Sequence, residues 1–459
     1  MKLFARELRL LLRDRAAWAL VLLFAGVLAY ALWNGADLAR RQRDTARAIE
    51  QSTAAFDKQV REVLGVQAID PRQLARQPLT ASFTPAPLPL LASGQADLAP
   101  MHESVSLFRL EQPSDARVEI ENPSRLLAGR FDLAFVLVWL FPLFLLALAY
   151  DLIAGDRESG TLRMVLARGV APWKWIAVRA IARGAPVLAL ALAATLLSGW
   201  SADAAVGARL AFACAVVLAY GLFWLAVAAL VNGFAKSAAS AASAAGAAWV
   251  GIVLVIPTWL NVLVESLHPM PSRAELVASA RQAAGDAERR GSELLSSFYK
   301  DHPEWMPPGM QADFMQQLLA QQDEVGRAID PVRERFAAEL RDQQSMVETW
   351  RFLSPAIATH EALTDLAGTG YWRTEAFRAQ VAAFKQRVED FYAPRIHGNK
   401  PITKDDLAAL PRFTFAEEPD AAWQGRVLAS IAGKLGLVML VLLIALRRIS
   451  ARVLAVSSA

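Results

Sequence analysis

The sequence predicts an all-α polytopic membrane protein: six transmembrane helices with an N-terminal in-plane helix, plus a mostly helical extracytoplasmic domain built from two insertions. Three observations carry that expectation. Apolar runs long enough to cross a bilayer recur six times along the 459 residues. Two long polar stretches separate the first run from the second and the fifth from the sixth. Basic residues gather at one set of alternate ends of the runs, the pattern that orients membrane proteins. With 55% hydrophobic and only 20% charged residues the chain is also more apolar than an ordinary soluble protein.

Residues 1–15 form a short amphipathic helix, with Lys2, Arg6, Arg9 and Arg13 on a basic stripe and Phe4, Leu8, Leu11 and Leu12 on the other side. Such a segment lies in the headgroup plane against membrane lipid. The first span is 16–33, flanked by Trp18 and Trp33 as interfacial anchors. Ala29-Tyr30-Ala31 faintly resembles a cleavage site, but the run is long enough to span, so an uncleaved anchor is expected. The first polar insertion, 34–131, begins with helical character over Gly35–Leu64, continuing the span. The prolines from Pro71 to Pro100 then break any helix, and Val105–Leu107 and Arg117–Ile120 alternate enough for short strands.

The second span, 132–150, contains Pro142, expected to kink it. A charged loop, 151–175, leads to the third span, 176–200, entered through Arg179 and Arg183, which can snorkel to headgroups, and bent at Pro186. The fourth span is 210–231, followed by a tight turn from Asn232 to Lys236. The fifth, 237–264, carries small residues at Ser240, Ser243, Gly246 and Gly251 that would let another helix approach closely, and a further bend at Pro257. The second insertion, 265–426, holds a helix begun by Ser272 and Glu275 at capping-box spacing and reaching about Lys300. A second helical stretch follows to Phe352, broken or kinked at Pro331, and a last one is capped by Thr374, with Phe377, Val381, Phe384, Val388 and Phe391 on one face. The sixth span is 427–446, and a basic tail, 447–459, closes the chain. Six crossings put both basic termini, the charged loop and Lys236 on one side, which the positive-inside rule makes cytoplasmic.

Several chemistries are excluded. No G-x-x-x-x-G-K-[ST] phosphate loop, H-E-x-x-H or G-x-S-x-G occurs, so the chain is not expected to be an enzyme. The net charge of +4 is spread over membrane edges, and no nucleic-acid partner is expected. Cys214, the one cysteine, sits in an apolar run as a buried inert thiol. All five histidines lie in the two insertions, and no pair shows metal-ligand spacing, so they read as surface or loop residues and no metal is expected.

The charged loop carries the remaining signal. Asp156, Glu158, Gly160, Thr161 and Leu162, with Met164 and Leu166 in a short apolar stretch and then Gly169-Val170-Ala171-Pro172, resemble the loop after the second span of type-2 ABC exporter permeases. Phe352-Leu353-Ser354-Pro355, Leu366-Ala367-Gly368-Thr369 and the aromatic helix after Thr374 resemble a bacterial subfamily with a large uncharacterised extracytoplasmic domain before the last span. That resemblance implies a permease subunit in the bacterial cytoplasmic membrane, paired as a homodimer or with a sister permease. It further implies a coupling helix in the loop that docks on a separate ABC ATPase subunit, which would hold the ATP and Mg. Glu158 would serve as a charged contact or an N-terminal helix carboxylate, while Gly160 and Thr161 permit the turn and cap the helix. The alternative is a mechanotransmitter that moves its outer domain against a periplasmic partner without translocating a substrate. A membrane-embedded enzyme ranks last, since no acidic or histidine residue falls at mid-span.

Overall fold

The computed structural model describes residues 2–94, 102–107, 131–162, 164, 171–200, 206–269, 273–290, 293, 300 and 314–457. Asp14 separates its first two helices, α1 (Lys2–Arg13) and α2 (Arg15–Leu64), by accepting hydrogen bonds from the amides of Ala16 and Ala17. The 50 residues of α2 then run unbroken through Trp33. At 1.5 Å per residue that rod is about 75 Å long, over twice the hydrocarbon thickness of a bilayer. The first span and the start of the first insertion are therefore one rigid element.

Six helices are long and apolar enough to cross a membrane, which makes this a helical multi-pass membrane protein. After α2, the second comprises a first turn at Leu133–Phe135, a π-helical stretch Val136–Leu140 and α4 (Phe141–Ala149). The short helices α3 (Pro71–Ala75) and α5 (Ala154–Glu158) lie before and after it. The third span is α6 (Pro172–Leu197) and the fourth α7 (Gly207–Phe234). The fifth joins α8 (Ala238–Trp249), a π-helical stretch Val250–Val255 and α9 (Ile256–Leu267). The last, in α14 (Asp420–Ser457), begins seven residues before the expected 427 and carries the helix into the tail. Asn232 belongs to α7 rather than to a turn.

Two of the three prolines sit directly after π-turns. Proline cannot donate and its ring crowds the carbonyl four residues back. For Pro142 that carbonyl is Val138, and the Tyr220 hydroxyl donates to it at 2.9 Å, while the Trp249 indole N–H serves Trp139 O at 3.0 Å. Before Pro257 the Ser354 hydroxyl donates to Ile252 O at 3.3 Å. Side chains from neighbouring helices thus satisfy carbonyls released inside the bilayer, as lipid cannot. Pro186 lies within an uninterrupted α6.

The hub of the bundle is α7, where Tyr220 and Trp224 are fully buried. Of its most apolar stretch 72% is buried inside the chain, against 17% for the fifth span, whose surface is left to lipid or to another chain.

Both insertions build one polar domain. Val60, Leu64, Ile69, Leu74 and Ala81 from the first share a core with Phe377, Val381, Phe384, Val388 and Ile396 from the second. The expected aromatic face is thus the face that fills this core, on α13 (Tyr371–His397). A two-stranded sheet pairs β1 (Leu79–Ser82) with β2 (His102–Val105), and a bridge joins Ile69 to Ile402. The expected strand at 105–107 meets β2 only at Val105, and that at 117–120 lies outside the described residues. Between α9 and α14 the chain forms α10 (Arg273–Arg289), α11 (Phe314–Trp350) and α12 (Pro355–Ala367). Helices α10 and α11 close on a small core of Ala287, Val325 and Ile329, forming a two-helix arm. In contrast, α12 buries Ala362, Leu363 and Leu366 in the core of the spans.

Several expectations are corrected. Helix α10 stops at Arg289, short of Lys300, and Ser272 lies outside the described residues. Pro331 lies inside α11 without ending it. Thr374 is not a cap: α13 starts at Tyr371 after Gly370, and the Thr374 hydroxyl donates back to Gly370 O at 3.3 Å. His397 is buried rather than superficial, and Cys214 is only half-buried.

Gly368 ends α12 in the left-handed region (φ +74°), and a Cβ there would lie 2.3 Å from Pro87 Cδ. Left-handed geometry costs an L-residue about 1–2 kcal/mol before any clash. Gly368→Ala should lower the melting temperature of the detergent-purified protein, whereas Gly326→Ala, with open space around it, should leave it unchanged or slightly higher.

Candidate functional site: the polar clamp around Asp156

The loop between the second and third spans is held by side chains from the third and fourth spans and by backbone at the start of the fifth. Its chain must leave α4 and turn, exposing amides that no helix satisfies. The Asn232 carbonyl on α7 accepts from three of them, Leu152 N at 3.0 Å, Ile153 N at 3.1 Å and Ala154 N at 3.3 Å. Its amide group donates to Tyr150 O at 2.7 Å and Ala228 O at 2.9 Å. One fully buried side chain therefore fixes the start of α5 to the central helix.

The carboxylate of Asp156 then meets the third span. Arg179 pairs with it directly, and the Trp175 indole N–H donates to it at 3.2 Å. The same guanidinium donates to Leu152 O at 2.6 Å and, through Nε, to Glu7 Oε1 on α1 at 3.3 Å. Glu7 is 5% exposed and the Arg179 side chain 11%. Two carboxylates and a carbonyl share one guanidinium, whose planar fork can serve several acceptors at once. Arg183 donates to Asp151 O at 2.6 Å, so both arginines of the third span reach toward the loop and bond its backbone.

The far end of α5 reaches the fifth span. Arg157 donates to Ala235 O, and Glu158 Oε2 accepts from Ala238 N at 3.1 Å, beside the reciprocal cap between Ser237 and Ser240. Glu158 thus places its charge at the N-terminus of α8, where the dipole favours an anion, and not at the start of its own helix. Gly160 takes the turn with φ +74°, and the Thr161 hydroxyl donates to Asp156 O at 3.2 Å, closing the end of α5 where the chain turns helical again at Thr161 and Leu162. Leu162 is buried and Met164 is 62% exposed. Leu166 lies outside the described residues.

The termini meet at this same end of the bundle, since Glu7 pairs with Arg179 and the Arg448 guanidinium lies over the Phe234 ring at 4.9 Å. Of the small residues on the fifth span, Ser240 is used in the cap, while Ser243 and Gly246 are exposed and Gly251 is half-buried in the π-turn. No atom lies within 4 Å of a Cβ built at Gly246 or Gly251, so close approach there is not used within the chain. The face of α8 that packs inward carries Ala241 and Ala245 instead.

Residues not singled out from sequence complete the picture. Glu7 stands out in hindsight as the lone acid in a basic helix, and Asn232 as an amide ending an apolar run. Lys434 is a cation inside the sixth apolar run, 1% exposed, donating to Ser430 Oγ at 2.6 Å and Ala358 O at 3.3 Å. Ser430 also donates to Ala358 O at 2.7 Å, so the sixth span is riveted to α12 by polar contacts. On the next turn of α12, burial pushes the Glu361 carboxyl up to about 7 although Arg351 lies 3.4 Å away.

Fold and site together define a class: a helical multi-pass membrane protein with a polar domain woven from two insertions and a rigid polar clamp at the opposite end. Residues 273–416, from α10 to the segment before α14, match the family model described as a domain of unknown function (DUF3526). This match covers the arm, α12 and α13, and spans less than half of the chain. No curated protein matches the chain.

Truncating Asn232 should expose the cost of the loop amides. An unsatisfied buried polar group costs about 1–3 kcal/mol, so Asn232→Ala should destabilise the protein by at least that and speed proteolysis within 151–171, measured by thermal unfolding and limited digestion. A carboxyl raised to about 7 in the folded protein stabilises it fully below the ordinary carboxylate range and loses that contribution as pH rises through 7. Glu361→Gln should therefore flatten the fall in melting temperature between about pH 5 and pH 8.

Proposed function

We propose that this chain is the membrane-spanning permease subunit of an ABC exporter, with the 151–175 loop as the element on which a separate ATPase subunit acts. The observation that carries the reading is the clamp. Asp156, Glu158 and the loop amides tie α5 to α6, α7 and α8 through Arg179, Asn232 and the Ala238 amide, and Arg179 carries the tie on to Glu7 of α1. A lever must be stiff at its attachment and open at its tip. Buried charge-assisted hydrogen bonds supply stiffness, and exposed Met164 supplies an apolar tip suited to a groove on a partner.

In this reading Asp156 and Glu158 are not contacts with the ATPase. They transmit displacement of the loop to the third and fifth spans, while Met164 mediates docking and the buried Leu162 anchors the tip to the chain. Gly160 gives the turn between the two parts. The clamp end faces the cytoplasm, consistent with the excess of arginine and lysine in the short connections there and at both termini. The polar domain then faces the exterior of a bacterial cytoplasmic membrane. The stripe of exposed Ser243 and Gly246 and half-buried Gly251 on the weakly buried fifth span would meet a second permease subunit, identical or homologous. ATP and Mg would be held by the ATPase, and the chain itself would have no catalytic role.

One observation favours a second reading, a mechanotransmitter that moves its outer domain without translocating cargo. The unbroken α2 and the Lys434–Ser430–Ala358 rivet couple the spans stiffly to the polar domain, so motion at the clamp reaches that domain without a hinge in either element.

Substituting the tip and the clamp separates docking from transmission. Met164→Asp should abolish co-purification of the ATPase, while Glu158→Gln should retain the ATPase but lose stimulation of its ATP hydrolysis by the permease. Wild-type co-purification and stimulation in both variants would refute the assignment of the loop.

A further inference from the structure

We propose that His268, Glu339 and Asp342 form a binding site for one divalent transition metal of the Zn2+ type, at the joint between the fifth span and the two-helix arm. The residues are far apart in sequence, but α9 and α11 bring them together so that one ligand atom from each lies within 4.8 Å of the others. Glu339 and Asp342 are three residues apart on α11, the spacing that puts two side chains on one helical face. The imidazole Nδ1 of His268, at the end of α9, lies 3.5 Å from Glu339 Oε2. Tetrahedral ligands about 2.0–2.2 Å from zinc are about 3.3–3.6 Å from one another, so this pair already has the separation of two ligands on one ion.

The donor set selects the metal. One imidazole nitrogen with two carboxylate oxygens suits Zn2+ and its borderline neighbours, whereas Ca2+ and Mg2+ prefer oxygen alone. A second contact fixes the imidazole: Gln343, one residue beyond Asp342, donates through Nε2 to His268 O at 2.6 Å. The backbone carrying the ring is thereby pinned to the helix carrying the carboxylates. A bare His–Glu pair with a third of each side chain exposed to water would contribute little by itself. A metal changes that balance, because it binds the neutral imidazole and draws in both carboxylates.

Such an ion would brace the arm at its base, where α11 passes the end of the fifth span. The inference is independent of the ATPase reading, since neither the three ligands nor their test involves the loop.

The full-length protein in detergent, stripped with chelator, should be titrated with Zn2+ against a competing chromophoric chelator and, separately, with Co2+ while visible absorption is followed. We expect one tight equivalent of Zn2+, Co2+ d–d bands of a mixed nitrogen–oxygen site, and a higher melting temperature with metal. Partners outside the coordination sphere alone are worth about 10–100-fold in affinity, so His268→Ala should weaken binding by at least about tenfold. The near-isosteric pair Glu339→Gln/Asp342→Asn should do the same with unchanged far-ultraviolet circular dichroism and melting temperature of the metal-free protein. Absence of saturable Zn2+ binding, wild-type affinity in these variants, or displacement of Zn2+ by equimolar Ca2+ or Mg2+ would each overturn the proposal.

Discussion

Hydrocarbon offers no partner to a peptide group, and the bundle is arranged around that constraint. Wherever a spanning helix departs from α geometry, a side chain from another helix arrives at the freed group. Tyr220 and Trp249 do so at the π-turn of the second span, Ser354 at that of the fifth, and Asn232 where the second span ends. The need to satisfy backbone therefore dictates which helices must touch. It also explains why α7, contributing Tyr220 and Asn232, is the most buried helix of the set.

The same logic, extended to charge, makes the clamp stiff. Glu7 is buried, Asp156 is half-buried, and both rely on Arg179. Breaking such a buried arrangement by deleting one partner typically costs about 3–5 kcal/mol, because it strands the other charges, so the ends of α1, α5 and α6 move together or the network fails. At the other end, Lys434 holds α12 against the sixth span with neutral oxygens as its hydrogen-bond partners. A span carrying an internal cation can be anchored this way by a short helix that is itself too polar to cross a membrane.

The spans were legible because each is a long apolar run, a signal needing no knowledge of tertiary structure. The charged loop stood out for the opposite reason, as a concentration of polar residues between two such runs. Its internal roles were not legible: whether Asp156 faces a partner or Arg179 depends on how α6 rotates, which hydropathy does not encode. Nor was the helix that Glu158 caps legible, since that helix begins 80 residues later. The joint core of the two insertions was hinted at by the period of Phe377, Val381 and Phe384, but their partners Val60 and Leu64 sit in a polar stretch that read only as the first span's helix continuing out of the membrane. Lys434 could have been read directly, as a lone cation in an apolar run. The meeting of His268 with Glu339 could not, because their separation of about 70 residues resembles no local ligand spacing.

On the proposed reading, a loop held by polar contacts, an unbroken first span and a riveted sixth span would carry displacement from one membrane face to the other. The central claim is that displacement enters at the loop from an ATP-hydrolysing neighbour. Cysteine-directed crosslinking from position 164, with Met164→Cys in a Cys214→Ser background, in membranes also containing the candidate ATPase, tests this most directly. The account predicts an adduct with the ATPase whose yield changes when ATP is trapped, and protection of position 164 from impermeant reagents added outside. Labelling of position 164 from the exterior, or absence of an ATPase adduct in every nucleotide state, would contradict it.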